Sequence, residues 1–100
     1  MHRPARVVPS TEARFRVLGD EAVLLDLASA TYFGLNSVGS RFWELIATDC
    51  SFDNAYTTLL AEYEVEDVKL LGDLVALTER LREIGLASVQ FDHADGESAS

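Results

Sequence analysis

The chain is poor in the residues that carry metal and redox chemistry. Cys50 is its only cysteine, so no internal disulfide can close and no two-cysteine metal knuckle can form. The two histidines, His2 and His93, lie near the ends. No spacing favours a Cys–His pair, and Cys50 reads as a buried or half-buried bystander. Cations are also scarce. Eight Lys and Arg face 17 Asp and Glu, for a net charge of −9. Such a surface repels phosphate backbones and argues against nucleic acid as a partner. A basic or neutral peptide suits the sign better, although acidic charge also serves solubility alone. No apolar run is long enough to cross a membrane. No apolar signal core follows Met1-His2-Arg3-Pro4. A cytoplasmic protein with no membrane partner is expected. A Gly-rich phosphate loop, a nucleophile elbow and a paired-His motif are all missing. The acids are spread along polar faces, leaving general acid–base catalysis without a constellation. The reading is therefore a protein with no catalytic residues, no metal and no cofactor.

What is present is a foldable domain. Hydrophobic residues make up 48% of 100 positions, too many for a disordered chain and enough for one core. Residues 1–12, punctuated by Pro4 and Pro9, read as a flexible lead-in with an optional short strand at Arg6–Val8. Residues 13–88 form the domain, and 89–100 read as a polar disordered tail. Phe15-Arg16-Val17 alternates as a half-buried strand does. Gly19-Asp20-Glu21 is turn chemistry. Ala22–Ala28 follows, with Val23, Leu25 and Leu27 on one face and Leu24 and Asp26 on the other. After Ala28-Ser29-Ala30 comes a third strand, Thr31–Leu35, rich in β-branched and aromatic residues. Short turns imply an antiparallel meander with this third strand at its edge, where backbone groups stay unpaired.

Three helices follow. Asn36 or Ser37 is a good N-cap for Val38–Ala47. Ser51 caps a second helix, in which Phe52, Ala55, Tyr56, Leu59, Leu60 and Tyr63 keep helical spacing. The third runs from Glu66 or Asp67 to Ile84 and stops at Gly85. On a wheel of roughly 100° per residue, Lys69, Gly72, Asp73, Ala76, Glu79, Arg80 and Glu83 share a narrow polar arc. Leu70, Leu71, Leu74, Val75, Leu77, Thr78 and Leu81 fill the rest, bordered by Val68 and Ile84. That apolar arc is wider than one neighbour requires. Either it wedges between two core elements, or one border lines a groove. The fold class is α+β, winged helix-turn-helix-like, with a three-stranded antiparallel sheet followed by three helices.

Four motifs occur in order: Leu24-Leu25-Asp26-Leu27, Tyr32-Phe33-Gly34-Leu35-Asn36, Gly39…Phe42-Trp43-Glu44-Leu45, and Asp73-Leu74…Leu77…Leu81…Gly85-Leu86. Each is common alone, but their order and separation over about residues 15–87 resemble the PqqD family. The resemblance implies a small winged-helix-like recognition element for ribosomally made precursor peptides. In such domains the leader adds as an antiparallel strand to the third strand, beside the third helix, by β-augmentation. Carried over, the leader-binding residues are Thr31, Tyr32, Phe33, Gly34 and Leu35, together with one of two borders of the third helix. One border is Leu70, Asp73, Leu74, Leu77 and Leu81; the other is Val68, Leu71 and Val75. Which face of the third strand meets the leader stays open. Asp73 reads either as a partner for a basic leader residue or as a surface charge. Trp43 reads as core.

The implied partners are a precursor leader and a separate cysteine-protease-type leader peptidase, because the stretch Ser51–Gly85 looks most like members from lasso-peptide clusters. The alternative within the family is a chaperone presenting a precursor to a radical enzyme in pyrroloquinoline quinone biosynthesis. Outside it stand an acidic winged-helix regulator and a dimer paired through the free edge.

Overall fold

Alternating apolar residues make the first sheet. Ala13–Leu18 (β2) and Glu21–Asp26 (β3) pair antiparallel, Phe15 opposite Leu24 and Val17 opposite Ala22. Thr31–Leu35 (β4) returns along β3, Phe33 opposite Leu24 and Leu35 opposite Ala22. The sheet order is β2-β3-β4, so β4 is an edge strand. Asp26 shapes the β3–β4 turn. Its carboxylate accepts from the Ala28 amide at 3.1 Å and the Ser29 hydroxyl at 2.8 Å, and such local bonds favour a turn over a continuing strand. These elements come from a computed structural model that describes residues 3–19 and 21–91.

Helix α1 spans Ser37–Thr48, α2 Phe52–Glu62 and α3 Asp67–Ile84. The expected stops hold. Ser51 Oγ accepts from the Asn54 amide at 3.2 Å. Gly85 takes the left-handed conformation at φ 96°. The Gly85 and Leu86 amides both donate to the Leu81 carbonyl, at 3.0 and 2.9 Å. This closure satisfies helix-end carbonyls and suits glycine, which has no Cβ to clash.

A second, two-stranded sheet lies outside the expected order of three strands and three helices. Pro4–Pro9 (β1) pairs antiparallel with Ala87–Phe91 (β5). Half of the expected lead-in is thus a strand, and residues 89–91 of the expected tail belong to its partner. The rest of the tail, 92–100, lies outside the described residues. The reason is burial: Val7, Leu86 and Ala87 are in the core. The Val7 amide donates to the Cys50 carbonyl at 2.9 Å, tying β1 to the α1–α2 connection. Both prolines sit at strand ends, where a missing N–H costs the ladder least.

One core unites the layers: Leu24 and Leu35 from the sheet, Phe42, Trp43 and Ile46 from α1, Phe52 and Leu59 from α2, and Leu70, Leu74 and Leu81 from α3. Phe42 and Phe52 meet edge-to-face, ring centroids 5.9 Å apart, a geometry aromatic quadrupoles favour. Arg41 clamps α1 to α2 through Glu62, Nη2 to Oε2 at 2.8 Å and Nε to Oε1 at 3.0 Å. The guanidinium holds the Glu62 carboxyl below its ordinary range. Asp49 is also lowered, first by the Asn54 side chain and then by the Ser51 amide. A depressed carboxyl stabilises the fold above its unfolded pKa, and that stability is lost as pH falls through the folded value.

Thr78 breaks the apolar pattern. It is fully buried on α3, and its hydroxyl has no hydrogen-bond partner among the described residues. An unpaired buried hydroxyl costs about 1–3 kcal/mol. Thr78→Val keeps the shape and removes the polar atom. It is expected to raise the unfolding free energy by about 1 kcal/mol, read as a higher urea midpoint at unchanged slope.

Candidate functional site

Strand β4 presents two different faces. Leu35 is buried and Phe33 half-buried against the core, with Thr31 on the same side at the sheet's rim. Tyr32, 69% exposed, and Gly34 point outward. Of the two sets that alternation alone could not assign, Thr31, Phe33 and Leu35 are the core-side one.

Backbone direction follows from the ladder. The Leu27 amide donates to the Glu12 carbonyl at 3.0 Å, so odd-numbered residues of β3 bond towards β2. Central-strand residues alternate between their two neighbours. Leu24, opposite Phe33, therefore bonds towards β4. Thr31, Phe33 and Leu35 are spent on β3, while Tyr32 and Gly34 aim their N–H and C=O groups off the open edge. Five residues of edge give about 17 Å at 3.4 Å each for a further antiparallel strand.

The groove beside that edge lies between β4 and α3, with a volume of about 420 Å³. Phe33 and Leu35 line it from β4, and Leu70, Leu74 and Leu77 from α3. Val38 and Gly39 close it from the first turn of α1. Asn36 caps that turn, its Oδ1 accepting from the Gly39 amide at 2.8 Å. A Cβ on Gly39 would meet Asn36 Oδ1 and Leu35 Cδ2 at 3.2 Å and Leu77 Cδ2 at 3.5 Å. The missing side chain is what lets α1, β4 and α3 meet this closely.

The rim is polar. Lys69 Nζ and Asp73 Oδ2 stand 3.2 Å apart, one helical turn apart on α3. Both are exposed, so the pair adds little stability and supplies one charge of each sign to the groove's lip. The Arg80 guanidinium stands over the Phe33 ring at 5.8 Å from its centroid, within cation–π range. Among the described residues no group of His, Cys, Asp or Glu has a metal-binding arrangement, and no helix is long and apolar enough to cross a membrane.

The structure thus brings together Phe33, Gly34, Leu35, Leu70, Asp73, Leu74 and Leu77 of the residues singled out from the sequence. Others fall outside the lining. Leu81 is wholly buried. Leu71 and Val75 are half-buried against the core, and Val68 is 73% exposed. Thr31 and Tyr32 contribute to the strand edge but not to the groove wall. Sequence reasoning passed over Asn36, Val38, Gly39, Val65 and Lys69. Lys69 was legible as the residue one turn before Asp73. Gly39 was legible as a glycine one turn after a capping Asn. Val65, in the α2–α3 connection, carried no pattern.

A family described as Coenzyme PQQ synthesis protein D (PqqD) matches residues 21–87, two thirds of the chain. The chain belongs to the PqqD family. Two solved structures are similar over nearly their whole length. One is TbiB1 in complex with the TbiA(beta) leader peptide, at 32% identity and a TM-score of 0.75, covering 85% of this chain and 99% of that one. The other is a lasso peptide synthetase B1 complexed with the leader peptide, at 28% identity and a TM-score of 0.74, covering 84% and 99%. No curated protein matches the sequence. The match begins at Glu21 and ends at Ala87, so it takes in β3, β4 and all three helices of this PqqD domain but neither β1 nor β2.

The Asn36 cap is testable by substitution. Asn36→Ala should cost about 1 kcal/mol and Asn36→Gly only a few tenths, measured by urea denaturation. An Asn36→Ala domain as stable as the wild type would mean that the cap bond does not hold the β4–α1 junction.

Proposed function

We propose that this PqqD domain binds the leader segment of a ribosomally made precursor peptide and delivers it to a processing enzyme. The observation that carries the reading is the open β4 edge beside an apolar groove on α3. A strand added at Tyr32 and Gly34 gains backbone hydrogen bonds, and its alternate side chains reach the groove for specificity. The two similar structures hold leader peptides, and their identities to this chain support carrying the ligand class over. Within the edge strand Thr31–Leu35, Tyr32 and Gly34 then bind the leader through the backbone, and Phe33 and Leu35 join Leu70, Asp73, Leu74 and Leu77 at the groove. The role is non-catalytic, and chemistry falls to the partner. The lasso-peptide setting of one relative favours a leader peptidase as that partner. A part in coenzyme PQQ synthesis is the alternative that the family description suggests.

Fluorescence polarisation with a labelled leader from the cognate precursor tests this. Saturable binding lost on scrambling the leader is expected. Gly34→Pro deletes an outward N–H without removing a bond to β3, since proline is tolerated on strand edges. It should weaken the leader by about tenfold or more while leaving the helical circular dichroism intact. Unchanged affinity would rule out strand addition at β4.

The groove wall separates binding from folding. Leu77 is half-buried, and Leu77→Asp should weaken the leader in a domain that still melts cooperatively. Leu74 is 1% exposed, and Leu74→Asp should unfold the domain. A folded Leu74→Asp that binds normally would place the leader elsewhere.

A further inference from the structure

The three-stranded sheet has a second face that the groove does not use. The helices pack against Ala22, Leu24 and Leu35. Alternation puts Arg14, Arg16 and Leu18 of β2, Val23 and Leu25 of β3, and Tyr32 of β4 on the opposite side. The register aligns Arg14, Leu25 and Tyr32 in one row and Arg16, Val23 and Gly34 in the next. Leu18 is 63% exposed, and Tyr32 lies equally open. The result is an apolar strip with two guanidiniums along one side and the open β4 edge along the other.

Charge marks this face. Elsewhere Arg3 pairs with Asp53, Arg41 with Glu62, Lys69 with Asp73 and Arg82 with Glu79. Arg6 on β1 and Arg80 on α3, over Phe33, make no ion pair among the described residues but stand on separate elements. Among the described residues neither Arg14 nor Arg16 pairs with an acid. Each Nη1 donates only to backbone carbonyls, Arg14 to Thr11 at 2.9 Å and to Ala13 at 3.0 Å, Arg16 to Phe15 at 3.0 Å. Glu12 and Glu21 lie at the two ends of the same face and pair with neither arginine. A protein carrying a net charge of −9 thus sets two neighbouring cations, without an acid partner among the described residues, beside an apolar strip that is open at Leu18 and Tyr32 and half-buried at Val23 and Leu25.

The geometry points to this outer face as the docking surface for the enzyme that processes the precursor, a protein presenting acidic side chains around an apolar centre. The assignment rests on the leader-binding reading: a leader strand on β4 extends the same face by one row. An enzyme seated there touches domain and leader together, so it binds the loaded domain in preference to the empty one.

The test titrates the purified processing enzyme encoded with the precursor into the leader-loaded domain by calorimetry. Arg14→Glu/Arg16→Glu is expected to weaken the enzyme by about tenfold or more, with the wild-type affinity falling as salt rises. Leader affinity, read separately by polarisation, stays within about twofold and reports that the variant is folded. Arg82→Glu changes charge on α3 and should leave the enzyme affinity alone. If the arginines only guard the β2 edge against pairing, glutamates guard it equally well, and the enzyme binds both forms alike; that result overturns the assignment. So does a wild-type domain that shows no enzyme binding, or one that binds phosphatidylserine vesicles through these arginines and not the enzyme. Arginine-dependent enzyme binding without any leader binding would keep the docking face and sink the leader reading instead.

Discussion

The passage of β4 into α1 through a single residue constrains everything around the groove. Asn36 ends the strand and caps the helix in the same step. Its Oδ1 holds the Gly39 amide, and Gly39 leaves room for Leu35 and Leu77 to approach. Edge strand, helix start and α3 therefore meet at one point with little freedom. A longer connection would let β4 rotate about its axis, and one step of rotation in a strand exchanges the core face for the solvent face. The direct turn keeps Leu35 in the core and Gly34 at the open edge.

The second sheet has a supporting part. β1 and β5 close over the far end of the helices, and Val7 links them to the α1–α2 connection through Cys50. This brings the two ends of the described chain together and fixes the last turn of α3 by way of Gly85 and Leu86. The apolar arc of α3 is wide because it serves both purposes weighed from the wheel. Leu70, Leu74 and Leu81 enter the core, and Leu77 with the flanks of Leu70 and Leu74 forms the groove wall.

Much of this was legible in the sequence because the signals were local. Asn36, Ser51 and Gly85 announce helix ends by side-chain chemistry, and the alternation from Phe15 to Leu35 announces a meander. Pairing between β1 and β5 was not legible, because it joins segments about 80 residues apart, and strand pairing at that distance leaves no local trace. Val89 alternates with Ser88 and Gln90, but the acidic tail masks that strand; the first, with Val7 and Val8 adjacent between Pro4 and Pro9, shows no alternation. The choice between the two borders of α3 was likewise invisible. The wheel is symmetric about its apolar arc, and only the placement of β4 breaks that symmetry. Lys69 and Val65 reached the groove through tertiary position alone.

The two outer strands of the three-stranded sheet are built differently. β2 carries Arg14 and Arg16, and charges along an edge oppose pairing with another chain. β4 carries none of the usual defences: Thr31, Tyr32, Phe33, Gly34 and Leu35 include no charge, no proline and no bulge in their register with β3. An unguarded edge is a liability for a protein that has no use for it. Here the unguarded edge is the one flanked by an apolar groove and a short ion pair, while the guarded edge faces away from it. The same sheet thus blocks unwanted strand addition on one side and leaves it open on the other. This asymmetry is what a domain that recognises an extended peptide by its backbone requires.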